Sequence, residues 1–192
     1  MGRTEECMNA EKFYGNLPSI ETERLILRGI KESDAEDLFA YASEPKVSRF
    51  MPWAAHRTIE DSKAFITFVL NAYRQKNKLT WAIELKTDRK MIGTIDFVKW
   101  LPKHARAEIA YTLSDHHWGQ GLTAEAVKAL AEFGFTEMQL NKIEAPIVPE
   151  NVQSQRVLEK VGMKLEGVAR QHFRLKGELV DLAQYSMLKE EF

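Results

Sequence analysis

The chain has 192 residues, 44% of them hydrophobic, which is enough for one domain with a buried core. Its formal net charge of −1, without blocks of like charge, argues against a nucleic acid or a membrane surface as partner. The apolar stretches are too short to span a bilayer, and the single cysteine, Cys7, excludes an internal disulfide and a cysteine metal cluster. We therefore expect a cytoplasmic protein.

The first half of the chain predicts an arm and then alternating strands and helices. We expect an N-terminal arm over residues 1–17 and a single domain over residues 18–192. Within that domain, apolar periodicity and capping residues predict a strand over residues 24–28, a helix from Ser33 or Asp34 to about residue 43, and a helix that begins after Thr58. Turn-forming sequences then separate three strands, at residues 80–85, 91–100 and 108–113, which predicts an antiparallel meander.

The second half predicts two strand–helix units and a closing hairpin. The predicted elements are a helix from about residue 122 to 138, a strand over 142–148, a helix over 152–161 ended by Gly162, and strands over 163–174 and 180–188. This order predicts an α+β fold with a mixed, mostly antiparallel sheet.

The most informative segment is residues 116–127 (HHWGQGLTAEAV), which connects a predicted strand to a predicted helix. Gly119 and Gly121 can adopt positive φ, and a helix start offers unsatisfied N–H groups and a positive dipole end. We therefore expect this turn to bind a pyrophosphate. The expected cradle consists of His117, Trp118, Gly119, Gln120, Gly121, Leu122 and Thr123.

Common nucleotide fingerprints do not match this turn. A P-loop would place Lys-Ser or Lys-Thr after its second glycine, where this chain has Leu122-Thr123, and a dinucleotide fold would require a third glycine. A glycine turn that simply joins a strand to a helix is an equally good explanation of this motif alone.

Five segments together resemble the RimJ/RimL-like branch of the GNAT N-acetyltransferase superfamily. They are residues 20–45 (IETERLILRGIKESDAEDLFAYASEP), 108–113 (EIAYTL), 118–135, 141–170 and 179–192. The resemblance implies a GNAT fold, in which helices flank a central, mostly antiparallel sheet that contains a splayed parallel strand pair. It also implies acetyl-CoA as co-substrate, with no metal.

The resemblance implies specific roles for several residues. The pantetheine arm would pair with the backbone of Ala110, Tyr111, Thr112 and Leu113, and the N–H of Tyr111 would stabilise the oxyanion. Asn151 would bind the same arm, although it is equally well explained as a helix N-cap. The tyrosine that protonates the departing thiolate in the superfamily would fall at Leu158, so we expect Ser154 to supply this proton.

The general base and the acceptor pocket are less defined. The candidate bases are Glu108, His172, Asp96 and Glu84, although residues of these types on strands are more often surface or ion-pair residues than bases. His172 is adjacent to Phe173, the position where RimL-like enzymes carry a glutamate. The expected acceptor residues are Trp53, Phe97 and Asp181, for which core packing or bracing of the hairpin is the alternative.

These features predict an N-acetyltransferase that transfers acetyl to a primary amine by direct attack in a ternary complex. A protein N-terminal α-amino group of the ribosomal-protein type is the leading acceptor. A small amine (polyamine, amino acid or amino sugar) and a non-catalytic acyl-CoA-binding module are the alternatives. The chain could function as a monomer or a homodimer. Because adjacent His116 and His117 side chains diverge, we expect no metal there.

Overall fold

The computed structural model describes Phe13 and residues 17–192, and its main feature is one eight-stranded sheet. The strands are β1 (Ile20–Glu21), β2 (Leu25–Arg28), β3 (Leu79–Leu85), β4 (Met91–Leu101), β5 (Arg106–Leu113), β6 (Lys142–Ile147), β7 (Lys164–Leu175) and β8 (Glu178–Leu188). Their order across the sheet is β1-β2-β3-β4-β5-β6-β8-β7. Adjacent strands are antiparallel except for β5 and β6, which are parallel.

Five α-helices accompany the sheet in the described part of the chain. They are α1 (Ala35–Ala42), α2 (Pro45–Ser48), α3 (Ile59–Arg74), α4 (Leu122–Thr136) and α5 (Val152–Lys160). Thr58 and Asp61 form a capping box that starts α3, because each side chain faces an N–H group that the helix cannot satisfy. Helix α4 is apolar on most sides, and Ala126, Val127 and Leu130 are fully buried against the sheet.

The sheet has a core cluster on each face. The larger cluster joins α4 and α5 to the central strands and includes the fully buried Trp81, Ile95 and Leu130. The smaller one joins α1 and α3 to the other face, through residues such as Leu38 and Val69. Helices therefore cover both sides of the central strands, which holds the strand ends near the parallel pair in place.

The parallel pair separates after three residues. Register pairs join Arg106–Glu108 of β5 to Lys142–Glu144 of β6 and then stop. Beyond Glu108, β5 continues beside β4 and β6 continues beside β8, so the two strands splay apart. This wedge and the mixed sheet confirm the predicted α+β GNAT fold.

Most predicted elements are found within two residues of their expected ends, with two additions. The short strand β1 and the helical turn α2 were not predicted, since each is too short for a periodic pattern to be recognised. The predicted first helix begins as a 3₁₀ turn at Glu32–Asp34. Of the predicted arm, residues 1–12 and 14–16 lie outside the described residues, whereas Phe13 is buried and packs against the ring of Phe133. None of the helices described is both long and apolar enough to cross a membrane.

Candidate active site

One edge of the β5 backbone faces the wedge. The N–H of Ser114 donates to Ile92 O on β4 over 2.7 Å, while Ala105 O accepts from the N–H of Lys142 at the start of β6 over 3.1 Å. Because successive residues of a strand direct their N–H and C=O groups to opposite sides, Ile109, Tyr111 and Leu113 face the wedge. Gly93 on β4 agrees with this assignment, since a Cβ there would collide with the carbonyl oxygen of Thr112.

The turn after β5 has the conformation that its two glycines predict. Gly119 and Gly121 both have φ of +77°, and Gly121 is the N-cap of α4. The N–H groups of His117 and Trp118 are already engaged, because they donate to Ser114 O over 3.0 Å and Asp115 O over 3.2 Å. The groups that remain for an anion are therefore those of Gly119, Gln120 and Gly121 and of the first turn of α4, which have no acceptor among the contacts described.

Two cationic side chains approach this helix start. A Cβ placed on Gly121 would lie 3.3 Å from Lys160 Nζ and 3.8 Å from Arg24 Nη2, whereas one on Gly119 would have nothing within 4 Å. Lys160 is the last residue of α5, and Arg24 precedes β2. The ammonium of Lys160 and the positive end of the α4 dipole thus converge on one point, as a bound anion requires, whereas Arg24 Nη2 forms an ion pair with Glu125 Oε2 over 2.6 Å.

Glu125 ties the N-terminal segment to this turn. Its carboxylate accepts the hydroxyl of Thr22 over 2.6 Å, the N–H of Arg24 over 2.9 Å and Arg24 Nε over 2.7 Å. Arg24 Nη1 also donates to Gln120 O over 3.0 Å. Burial opposes ionisation of Glu125, but the hydrogen bonds from Thr22 and Arg24 outweigh it and lower the pKa of the carboxyl. These contacts hold the glycine turn against the first turn of α4.

The opposite side of the wedge is the start of α5. Asn151 is its N-cap and accepts the N–H of Ser154 over 3.2 Å, as expected for a capping asparagine. The Ser154 hydroxyl lies 2.6 Å from the phenolic oxygen of Tyr111, so β5 and α5 are joined across the wedge. Leu158, where the superfamily tyrosine was expected, is fully buried in the core.

Turn, wedge and helix start enclose a cleft of about 650 Å³. Most of the residues predicted to hold the coenzyme line it: Tyr111, Thr112, Leu113, His117, Trp118, Gly119, Gly121, Leu122, Thr123, Asn151 and Ser154. Ala110 and Gln120 are not among the described lining residues. The backbone of Ala110 faces β4, and the Gln120 amide donates to His116 O over 3.2 Å. Trp118 packs beneath the turn and donates its indole N–H to Leu113 O over 2.9 Å.

The predicted bases lie outside the described lining of this cleft. Glu108 forms an ion pair with Lys99 over 2.9 Å. The other acidic candidates are buried on the sheet, where Glu84 pairs with Arg28 and Arg89, and Asp96 accepts from Thr80 and Lys78. Burial raises the pKa of Asp96. His172 is exposed on β7.

The predicted acceptor residues are also absent from the lining in the described part of the chain. Phe97 is buried and meets the ring of Trp81 edge to face, while Trp53 packs against the α1–α3 cluster beside His56. Asp181 accepts the N–H of Gln171 over 2.8 Å and so braces an irregular section of β7.

Several cleft residues were not predicted. Lys46 belongs to α2 and Arg49 directly follows it, and Arg156 and Lys160 lie one turn apart on α5. Lys46 pairs with Asp115, just before the glycine turn, over 2.5 Å. The i, i+4 spacing of Arg156 and Lys160 was the one sequence signal that could have identified these cations as cleft residues. Such a pair usually indicates only that this face of the helix is exposed to solvent. Among the described residues, no group of three His, Cys, Asp or Glu side chains could hold a metal ion.

Comparisons with known proteins agree with this geometry. The family description "Acetyltransferase (GNAT) domain" matches residues 24–164. The N-acetyltransferase YoaA of Bacillus subtilis (strain 168), itself uncharacterized, is 36% identical over 172 residues, which cover 90% of this chain and 97% of YoaA. A GNAT-family acetyltransferase structure from Bacillus anthracis has a TM-score of 0.80 and 30% identity, covering 91% of this chain and all of its own.

A more distant structure shares the fold alone. The ribosomal-protein-S5-alanine acetyltransferase from Vibrio fischeri has a TM-score of 0.75 at 24% identity and covers 91% of this chain and 98% of its own. The family match establishes acetyl-CoA as the co-substrate. The chain belongs to the GNAT family of acetyltransferases and is an acetyl-CoA-dependent N-acetyltransferase.

Proposed function

We propose that this enzyme acetylates a protein N-terminal α-amino group, of the ribosomal-protein type, by direct attack in a ternary complex. We further infer that it belongs to the RimJ/RimL-like branch of the family. The observation that carries the acceptor assignment is the chemistry of the cleft lining. In the described part of the chain, that lining contains one carboxylate, Glu150, and one imidazole, His117.

A cleft with few bases favours an amine that is already neutral. An α-amino group of pKa near 8 is roughly one-fifth neutral at pH 7.4, whereas a lysine of pKa near 10.4 is only about one-thousandth neutral. The α-amine therefore needs at most a relay through water to lose its remaining proton after attack. His117 and Glu150 both flank the elements that we assign to the coenzyme, which leaves the acceptor side without a dedicated base.

The positive charge of the cleft lining favours an α-amine over a polyamine as the acceptor. Of the four cations that line the cleft, Lys46 is paired with Asp115 and Lys160 lies at the pyrophosphate site, which leaves Arg49 and Arg156 with one carboxylate, Glu150. A polyamine carries several positive charges and would be repelled by such a lining, whereas a peptide N-terminus carries one. The acceptor of the Vibrio fischeri enzyme, named as an alanine of a ribosomal protein, is of the class proposed here.

Acetyl-CoA would bind with its pyrophosphate at the start of α4, beside Lys160. Its pantetheine arm would follow the unpaired edge of β5. The thioester oxygen would then accept the N–H of Tyr111, which faces the wedge, and this contact would strengthen as the oxyanion develops. Ser154, on the opposite side, would give its proton to the departing thiolate.

The test is thiol release from acetyl-CoA with two matched panels of acceptors. One panel contains peptides that begin with Ala, Ser, Thr or Met. Its control contains the same peptides with a blocked N-terminus and an internal lysine, so that the lysine is the only amine they offer. The second panel contains polyamines, amino acids and aminoglycosides. We expect turnover only with free N-termini, and kcat/KM should rise with pH to a plateau above a pKa near 8.

Two outcomes would contradict this assignment. Turnover confined to small amines would identify a metabolite acetyltransferase. Tight binding of acetyl-CoA with no turnover on any amine would identify a non-catalytic acyl-CoA-binding module.

A further inference from the structure

Two hydroxyl groups from different elements meet inside the cleft. Tyr111 lies on β5 and Ser154 in the first turn of α5, and their oxygens are 2.6 Å apart. Ser154 is 7% exposed, and the phenol of Tyr111 lies against the main core cluster. A hydrogen bond between two largely buried hydroxyls is stronger than one in water, because little solvent competes with it.

The direction of this hydrogen bond follows from the acidities of the two groups. Burial raises the pKa of the Tyr111 phenol, so this group stays protonated at neutral pH and is available as a donor. A phenol is a stronger donor than an aliphatic alcohol, and Ser154 Oγ at 2.6 Å is a nearer acceptor than Ser154 O at 3.4 Å, so we assign the Tyr111 proton to Ser154 Oγ. The proton of the Ser154 hydroxyl is then left to point elsewhere.

The rest of α5 does not capture that proton. A serine in a helix commonly bonds back to the carbonyl one turn earlier, but in the described structure the Ser154 hydroxyl has Tyr111 as its one partner. Asn151 holds the backbone of Ser154 through its N–H and leaves the hydroxyl untouched. Both side chains line the cleft, so the Ser154 proton is free to be directed into the space where a thiol would depart.

We propose that Tyr111 is a positioning residue, whose phenol orients the Ser154 hydroxyl and replenishes its proton as the thiol departs. This inference rests on the proposed function, in which Ser154 is the acid. The amine attacks the thioester carbon, and collapse of the tetrahedral intermediate breaks the C–S bond with the electron pair leaving on sulfur. Sulfur takes the Ser154 proton, Ser154 takes the Tyr111 proton, and the phenolate regains a proton from water. Water also accepts the proton lost by the acylated nitrogen, so the products are the acetylated amine and the free thiol.

The hydrogen-bonded pair of Tyr111 and Ser154 explains how the thiol is protonated although position 158 is a leucine and not the tyrosine of the superfamily. A phenol is present, but it approaches from β5 instead of α5 and acts through a serine. A serine hydroxyl alone is a weak acid, and the hydrogen bond from the phenol stabilises the serine oxygen as its proton leaves.

The test is the rate of acetyl transfer in a single turnover for Tyr111→Phe, Ser154→Ala and the double variant. We expect Tyr111→Phe to be about tenfold slower, the loss of one orienting hydrogen bond. We expect Ser154→Ala to be about a hundredfold slower, the loss of a general acid. The double variant should be no slower than Ser154→Ala, because the phenol acts only through the serine. The affinity for acetyl-CoA should stay within about twofold in each case.

A proton inventory separates this role from a structural one. In mixtures of H₂O and D₂O, the wild-type rate should depend on the deuterium fraction along a curve, since two protons move together. The Tyr111→Phe rate should follow a straight line, since one proton moves. Tyr185→Phe is the matched control, because it removes a buried phenol whose partner is Glu159, outside the cleft, and it should keep both rate and curvature.

Each contrary result has a distinct meaning. A Tyr111→Phe rate equal to that of wild type, or a further tenfold loss in the double variant, overturns the pairing while leaving Ser154 as acid. A Ser154→Ala rate equal to that of wild type removes both residues from thiol departure. The measurement uses whichever amine the wild-type enzyme acetylates, so an error in the acceptor class leaves this test intact.

Discussion

Replacing Gly121 with alanine tests the anion site at the start of α4. Gly121 and Gly119 share a φ of +77°, so alanine at either position costs about 1–2 kcal/mol of backbone strain. The surroundings of the two positions differ. A methyl group at Gly121 lies 3.3 Å from Lys160 Nζ and 3.8 Å from Arg24 Nη2, whereas one at Gly119 has nothing within 4 Å. Gly119→Ala is therefore a matched control that isolates the effect of filling the site.

The size of the effect follows from the displaced phosphate. The end of the Lys160 side chain can yield to the methyl group, so both variants should lose the same stability, within about 0.5 kcal/mol. A phosphate oxygen pushed from about 3 to about 4.5 Å from the ammonium loses about 2 kcal/mol at an effective dielectric constant near 20. We therefore expect Gly121→Ala to bind coenzyme A at least tenfold more weakly than Gly119→Ala.

The assay pairs urea denaturation with calorimetric titration of coenzyme A. Denaturation checks that the two variants are equally destabilised, and the titration compares their dissociation constants. Equal affinities in two equally stable variants would refute the placement of the pyrophosphate beside Gly121. A larger loss in Gly119→Ala would move the anion toward the middle of the turn.

Three further predictions concern the supports of the site. Glu125→Gln removes the negative charge that holds Arg24 in place. We expect the free energy of unfolding, measured by urea denaturation, to fall by about 1 kcal/mol. We expect coenzyme A, measured by calorimetry, to bind about fivefold more weakly. Since the pKa of Glu125 is lowered in the folded state, its contribution is present above about pH 4.3 and is lost as the pH falls through the lower folded value. The difference in unfolding free energy between wild type and Glu125→Gln should therefore shrink on acidification from pH 6 to 3, and a constant difference would contradict the ionic brace. Leu158→Tyr should lower stability by about 1–3 kcal/mol without raising kcat, because the side chain is fully buried and a phenol there overfills the core. A gain in kcat would show that position 158 can reach the thiol.

The glycine turn shows how far local sequence can predict a binding site. Two glycines spaced by one residue, between an apolar strand and a helix, require positive φ and a helix start, and both are found. The prediction was less specific about which N–H groups are available. His117 and Trp118 use theirs within a 3₁₀ turn, and no sequence pattern separates such a turn from an extended one.

The candidate bases show the limit of strand assignment. Glu108, Glu84 and Asp96 were all placed correctly on strands, but the sheet pairs each with a cation or buries it. Lys99 lies opposite Glu108 because a bulge in β4 shifts the register there. A register shift depends on how two strands pair, so it cannot be predicted from the sequence of either strand alone.

By itself, the sequence determined the fold class, the order of nearly all the elements, the conformation of the glycine turn and the cap at Asn151. These are set by contacts within a few residues, through apolar periodicity, capping and the freedom of glycine at positive φ. Three contacts are decided only by the tertiary structure. Thr22 and Arg24 donate hydrogen bonds to Glu125, Lys160 lies beside Gly121, and the hydroxyl groups of Tyr111 and Ser154 are hydrogen-bonded. The residues in these contacts are 39 or more positions apart along the chain, and each pair meets only because the sheet and its two core clusters place the elements side by side.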